Sequence, residues 1–529
     1  MIFFNDLMTV VHHPNLLPIA LGAAVLGWLV YQWVLFTIAT RKVRSIPTVG
    51  SDGFIMSYFS AWRYEFGIGR QMIQEGYDKY PGGVFKVPTL SSPNRWLIVV
   101  SGPKLVDDIR KAGKDELSFS DAGFELFQSD HLVQGPGKSV NNRETTYHIG
   151  VVQGPLTKGY PHLFEEIRDE IAQSYNDLIP PTEDWSHIQV YKTVIPAICR
   201  TTNRLLVGLP LCRNPEYRSI QENLTVHLVV AGTFLGLLPP FLRPLVGRLI
   251  TKFPASNSLV QKHITPLVEE VTKINQIYGP KSEKRPNNLI SWLMDAAPEQ
   301  CRMAMADIAG RVILINIAAI HTTSLALNDT LFELAARQEY IVPLRAEVEQ
   351  AIEEYGWTKE AMTRMYKLDS FIKESCRVNG LLAVSMVRNA RTDYHLSNGT
   401  VIPAGFRVVT AADPTHHDPL IYEDPNSFKG FRFCGPNGND ESANRLRNQL
   451  VSLDLNYMLF GNGRSACPGR FFAVNELKAM LAHLLINYDF KLPNDETEPP
   501  APIWIGHHWH RVPNQTAGIM FKERITKKQ

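Results

Sequence analysis

The chain has little of what marks several common classes of protein. Of its 529 residues only six are cysteine, at positions 199, 212, 301, 376, 434 and 467, and no two form a C-x-x-C pair. Thiols so few and so widely spread exclude a disulfide-stapled scaffold and a tetrahedral zinc ribbon. Net charge is nearly lacking: 54 Lys and Arg stand against 52 Asp and Glu, a formal charge of +2. That balance speaks against a protein built to coat nucleic acid, and no nucleic-acid partner is expected. There is no low-complexity tract and no internal repeat. With 44% hydrophobic and 10% aromatic residues the composition is that of an ordinary globular protein.

What is present begins with an uncharged run of 23 residues, Leu16 to Ile38. As a helix it would measure about 35 Å, enough for a hydrocarbon core of about 30 Å. Trp28, Tyr31 and Trp33 lie within it, and Arg41, Lys42 and Arg44 follow, whereas no Lys or Arg precedes it. The basic flank places the carboxyl side in the cytosol. The run is too long for a cleaved signal peptide and lacks the basic start. The expected organisation is a tail over 1–15, a single-pass anchor over 16–38, a turn-rich linker over 39–53 and a cytosolic globular domain over 54–529. Cysteines facing the cytosol stay reduced, and N-x-[ST] triplets such as those at Asn223 and Asn398 are then chance matches. A second apolar region, Leu228 to Ile250, is broken by Pro239, Pro240 and Arg243. It reads either as buried core or as a surface loop dipping into a bilayer.

Most of the body carries a helical period. Between Ala304 and Gln338 apolar positions persist for some nine turns with Gly310 as the single breaker, which predicts one long helix crossing the molecule. Strand-like pieces are short: Trp96 to Val100, Thr400 to Ile402, and Arg407 to Thr410, the last two separated by a turn at Pro403-Ala-Gly405. The expected class is mainly α with small β-sheets.

The strongest chemical signal is Phe460-Gly-Asn-Gly-Arg-Ser-Ala-Cys467-Pro-Gly-Arg-Phe471. Glycines on both sides of the cysteine make a tight, backbone-exposed loop. A three-and-four apolar repeat from Ala473 to Leu485 starts a helix just beyond it. A thiol at a helix start feels the positive end of the helix dipole and nearby amide donors, and both favour thiolate. Such a loop suits a soft anionic metal ligand, although a small buried hydrophobe is the usual fate of a free cysteine.

Phe460, Gly463, Cys467 and Gly469 resemble the F-x-x-G-x-x-x-C-x-G haem-binding signature of the cytochrome P450 superfamily. Glu374-Ser-Cys-Arg377 resembles the family's E-x-x-R, and Arg432 in Phe431-Arg-Phe433 its later arginine; together they imply a buried structural triad of Glu374, Arg377 and Arg432. Ala318-Ala-Ile-His-Thr322-Thr323 is similar to the family's A-G-x-[DE]-T-T. The resemblance covers essentially the whole chain and is closest to membrane-bound fungal members. It implies the P450 fold, haem b (iron protoporphyrin IX) bound through Cys467, and monooxygenase activity on a lipophilic small molecule. O2 and a separate NADPH-dependent flavoprotein reductase in the endoplasmic reticulum membrane would be the partners, since too little chain follows Cys467 for a flavin domain. The substrate expectation is a terpenoid, steroid or other secondary metabolite. Rearrangement or dehydration without oxygen insertion is the alternative within enzymes, and a non-catalytic haem- or steroid-binding membrane protein the alternative outside them.

On the same resemblance Thr322 would face the bound oxygen, Arg388 would hold a haem propionate, and Ala318, Ile320, His321, Ser324, Leu382 and Val384 would line the pocket. Two departures stand out. The acidic residue expected before the threonine is His321, either a proton shuttle or a core or substrate-facing side chain. The basic residue often found two before the cysteine is Ser465, with Arg464 beside it. The family's tryptophan in an earlier helix has only His148 as a stand-in. The cluster His507-His508-Trp509-His510 is not read as a metal site, because adjacent histidines in a strand point to opposite faces. Gly461-Asn-Gly463 lacks the strand-then-helix setting of a nucleotide loop.

Overall fold

A computed structural model describes residues 16–524 apart from 181, 300, 302–303, 435–444 and 506–509. Helix α1 (Leu16–Lys42) contains the whole uncharged run, and Val25, Leu26, Trp28, Leu29, Val30, Tyr31 and Trp33 are all exposed on it. Its carboxyl end belongs to the body. Phe36 is buried, its ring 5.5 Å from that of Phe54 and 5.8 Å from that of Trp96. The expected linker over 39–53 is therefore corrected. Ala39 still lies in α1, Val43, Ile46 and Val49 are buried, and the chain is clipped to Lys86 by two backbone hydrogen bonds. The apolar residues at three-residue spacing among the turn formers outweighed the turn composition.

Five short strands form the main sheet: β1 (Val84–Pro88), β2 (Trp96–Val100), β3 (Leu117–Ser118), β4 (Ser385–Ala390) and β5 (Arg407–Thr410). Their spatial order is β1-β2-β5-β4-β3, with β2 and β5 parallel and Leu97 opposite Arg407. All five residues of β2 are buried, as a continuous apolar strand covered on both faces should be. Val401–Ile402 pairs with Tyr394–His395 in a separate sheet, so the two late strand segments do not pair with each other.

Helices make up most of the rest. Those that position the site are α2 (Val190–Leu206), α3 (Pro215–Leu237), α4 (Met305–Ala336), α5 (Tyr366–Asn379) and α6 (Arg470–Asn487). Helix α4 is the expected long helix, at 32 residues. It is long and apolar enough to cross a membrane, yet it is mostly covered by other parts of the protein. Ile308, Val312, Leu327 and Leu331 of α4 share one core with Leu477 and Leu481 of α6. Beyond α3 the chain turns through Pro239-Pro240 and Phe241, which is 71% exposed, into a helix at Arg243–Ile250, where Leu245 and Leu249 are 62% and 75% exposed. The second apolar region is thus a surface at this end.

Candidate active site

Cys467 sits between a 3-10 turn (Gly463–Ser465) and the first turn of α6. Its backbone N–H donates to the Phe460 carbonyl at 2.8 Å, which closes the loop on itself. Gly463 has φ +68°, and a Cβ there would come within 2.3 Å of the Arg110 carbonyl oxygen, so only glycine fits. Gly469 has room for a side chain, the nearest atom to an added Cβ being 3.7 Å away on Val152. Burial pushes the Cys467 thiol pKa up; the N–H groups of Gly469 and Arg470 and the Arg470 charge pull it back. The expected help from nearby amides is present but burial outweighs it.

Above the core, α4 presents one stripe that neighbouring helices leave less covered. Ala318 and Thr322 are exposed, and Leu314, Ile317 and His321 are half-buried, at the i, i+3, i+4 spacing of a single helix face. Thr322 Oγ1 donates to the Ala318 carbonyl at 2.7 Å, so the hydroxyl is anchored one turn back. His321 is turned to the side, with Nε2 2.9 Å from the Glu222 carbonyl of α3.

Behind the cysteine loop the two arginines meet the glutamate. Arg377 Nε and Nη2 donate to the two oxygens of Glu374 at 2.7 and 2.8 Å, and Arg432 Nε lies 3.0 Å from both. Glu374 and Arg377 are fully buried. Arg377 Nη1 also donates to the carbonyls of His416 and Pro425, and Arg432 to those of Glu423 and Ser427. The cluster thereby pins the segment 416–432 to α5. Arg388 on β4 differs. It is buried, its one hydrogen bond within the protein goes to its own neighbour's carbonyl at Val387, and it has no ion-pair partner among the described residues. Burial alone lowers its pKa to about 10.

A family model described as Cytochrome P450 matches residues 60–516. The chain belongs to the cytochrome P450 family. Cytochrome P450 monooxygenase 151 of Postia placenta is 38% identical over 97% of this chain and 100% of its own. Cytochrome P450 monooxygenase CYP512U6 of Ganoderma lucidum is 31% identical over 87% and 89%, and cytochrome P450 monooxygenase paxQ of Penicillium paxilli 30% over 89% and 91%. The protein is a P450 monooxygenase, and its family binds haem through a cysteine thiolate.

The residues of this P450 fit that group. A buried guanidinium with no carboxylate of its own, Arg388, suits a propionate. A sulfur whose thiolate is favoured by the amides of Gly469 and Arg470 suits an anionic ligand. Arg464, by contrast, is exposed. His148 accepts at Nδ1 from Arg311 Nη1 at 3.0 Å, and burial lowers its pKa to about 4, so the neutral ring carries its proton on Nε2.

Three residues expected to line the pocket are buried by protein. Ile320 is buried with Ile195 and Cys199 of α2. Ser324 is buried, and Val384 packs with Val87, Leu97 and Val409. Ile320 is two residues from Ala318 and from Thr322, on the opposite side of the helix, whereas Ser324, seven residues after Ile317, lies at the edge of the stripe and is covered by its neighbours. Leu314 and Ile317 share the face of Ala318 and are half-buried. Leu382 is exposed. Among the described residues no cluster of three metal-binding side chains occurs; His507, His508 and Trp509 lie outside them.

Proposed function

We propose that this P450 is a membrane-anchored enzyme of the endoplasmic reticulum that hydroxylates a terpenoid, steroid or similar lipophilic secondary metabolite. Electrons would come from NADPH through a separate flavoprotein reductase. The observation that carries the reading is the Cys467 loop, closed by the Cys467 N–H on the Phe460 carbonyl and set just before the first turn of α6. The names of the fungal relatives agree with monooxygenation.

In this reading Cys467 is the iron ligand, Phe460, Gly463 and Gly469 shape its loop, and Arg388 holds a propionate. Haem, when bound, supplies the activation of O2 that a side chain cannot. Thr322 keeps a hydroxyl beside the reacting centre and moves a proton there, while Ala318 leaves room for a flat group to approach the helix. Leu382 and the α4 stripe give the substrate an apolar wall that excludes water. The triad of Glu374, Arg377 and Arg432 keeps the segment leading to Cys467 in place. The exposed apolar side chains of α1 form the membrane anchor, and Phe241, Leu245 and Leu249 add a second apolar contact with the bilayer.

The test combines a spectrum with a product assay. Reduced protein under carbon monoxide should show the red-shifted Soret band of a thiolate ligand, and Cys467→Ala should lose that band and all turnover together. Turnover surviving in the variant would refute the assignment. Incubation with labelled O2, reductase and a panel of terpenoids and steroids should give products heavier by one labelled oxygen. Rearranged products without label would favour the isomerase or dehydratase reading.

A further inference from the structure

Helix α3 is fastened to the site by polar contacts as well as apolar packing. Near its amino end Tyr217 Oη donates to Asn203 Oδ1 of α2 at 2.9 Å, and Asn203 Nδ2 donates to Asn316 Oδ1 of α4 at 2.7 Å. The second fastening is His321 Nε2 at 2.9 Å from the Glu222 carbonyl. A carbonyl only accepts, so Nε2 carries the proton and donates it to α3. Burial lowers the imidazole pKa, which keeps the ring neutral with a bare Nδ1. A ring in that state has no second proton to give, and it releases the first only by letting α3 go.

We propose that His321 is a positioning residue, a latch that holds α3 against α4 beside Thr322, and not a proton shuttle. The site at which it acts rests on the reading of the α4 stripe as the substrate side. The bond goes to backbone, inside a helix whose Glu222 carbonyl already accepts from the following turn. It therefore fixes the position of α3 whatever side chains α3 carries. From Glu222 onward α3 leads through Val226, Val230 and Phe234, all exposed, to the apolar end at Phe241 and Leu249. Any displacement of α3 away from α4 breaks this bond, so His321 is where a movement of α3 meets the helix that carries Thr322.

The test uses the full-length holoenzyme in detergent and three forms of it: parent, His321→Ala, and His321→Gln, whose amide N–H has similar reach. Amide hydrogen exchange is followed in peptides covering α3, together with dissociation of two iron-binding probes, bulky ketoconazole and small imidazole, read at the Soret band. One hydrogen bond of ordinary strength predicts exchange and ketoconazole release about three- to tenfold faster in His321→Ala. Imidazole release should be unchanged, and His321→Gln should restore the parent values. Unchanged α3 exchange, equal acceleration of both probes, or a His321→Gln variant that behaves like alanine would each overturn the latch. Unchanged exchange with NADPH consumption uncoupled from product would return His321 to the relay. The exchange measurement stands apart from the haem-thiolate assignment, which the carbon monoxide spectrum of the parent tests.

Discussion

Thr322 and Glu476 show how differently two polar side chains fare in this protein. The Thr322 hydroxyl is exposed on its helix and tied only to its own backbone, so replacing it leaves no buried partner unsatisfied. Thr322→Ala should fold normally and consume NADPH while forming less product per equivalent; unchanged coupling would remove the residue from proton delivery. Glu476 lies inside α6, fully buried, with one oxygen accepting from Thr202 at 2.9 Å and the other without a partner. Burial raises its pKa from 4.5 to about 8. Between those values the folded protein keeps a proton that the unfolded chain has lost, so this group lowers stability as pH rises from 4.5 toward 8. Glu476→Gln, neutral throughout, should match the parent near pH 4 and exceed it near pH 8 in thermal unfolding. A pH-independent difference between the two would contradict this. Cys467 and the Glu374–Arg377 pair could be read from sequence because their motifs are local and resemble those of the family. The isolation of Glu476 could not, because it depends on α2 crossing α6.

At the scale of elements, α4 carries the lesson. Its length and apolar period were plain in the sequence, and the helix ends within two residues of the expected positions. Which of its faces meets α2 and which carries Thr322 is set by the neighbours. Ile320, packed on Ile195 and Cys199, should cost about 2–4 kcal/mol on truncation to alanine, measured by denaturant midpoint, with azole binding unaltered. Leu382→Ala should do the reverse, changing ligand binding with little loss of stability, because 41% of Leu382 is exposed. The triad belongs to this scale as well. An E-x-x-R on a helix is an ordinary surface pair until Arg432, some 55 residues on, closes over it.

For the whole molecule, the junction between anchor and body decides where the chain can be cut. Deleting residues through Val34 removes most of the exposed apolar part of α1 but leaves Phe36, Ala39, Val43, Ile46 and Val49 in the core. That truncation should keep the carbon monoxide spectrum and sediment less fully with phospholipid vesicles. Deletion through Gly53 strips those five buried side chains, at about 1.5–3 kcal/mol for each large one, and should yield unfolded or haem-free protein. Equal solubility and spectra for the two truncations would show that the segment is a true linker.

The sequence by itself determined the P450 fold, the cysteine loop, the triad members and the central helix. The helix and the loop rest on apolar periods and local spacing that read the same in any context, with Gly463 at a position where only glycine fits. The fold and the triad rest on the resemblance of these motifs to the family. Only the tertiary structure decided that Ala39, Val43, Ile46 and Val49 join the core, that Ile320, Ser324 and Val384 are covered by neighbouring segments, and that His321 bonds to α3. Each of those depends on which distant segment lies against a given face, and the energy of that contact is absent from the local chain.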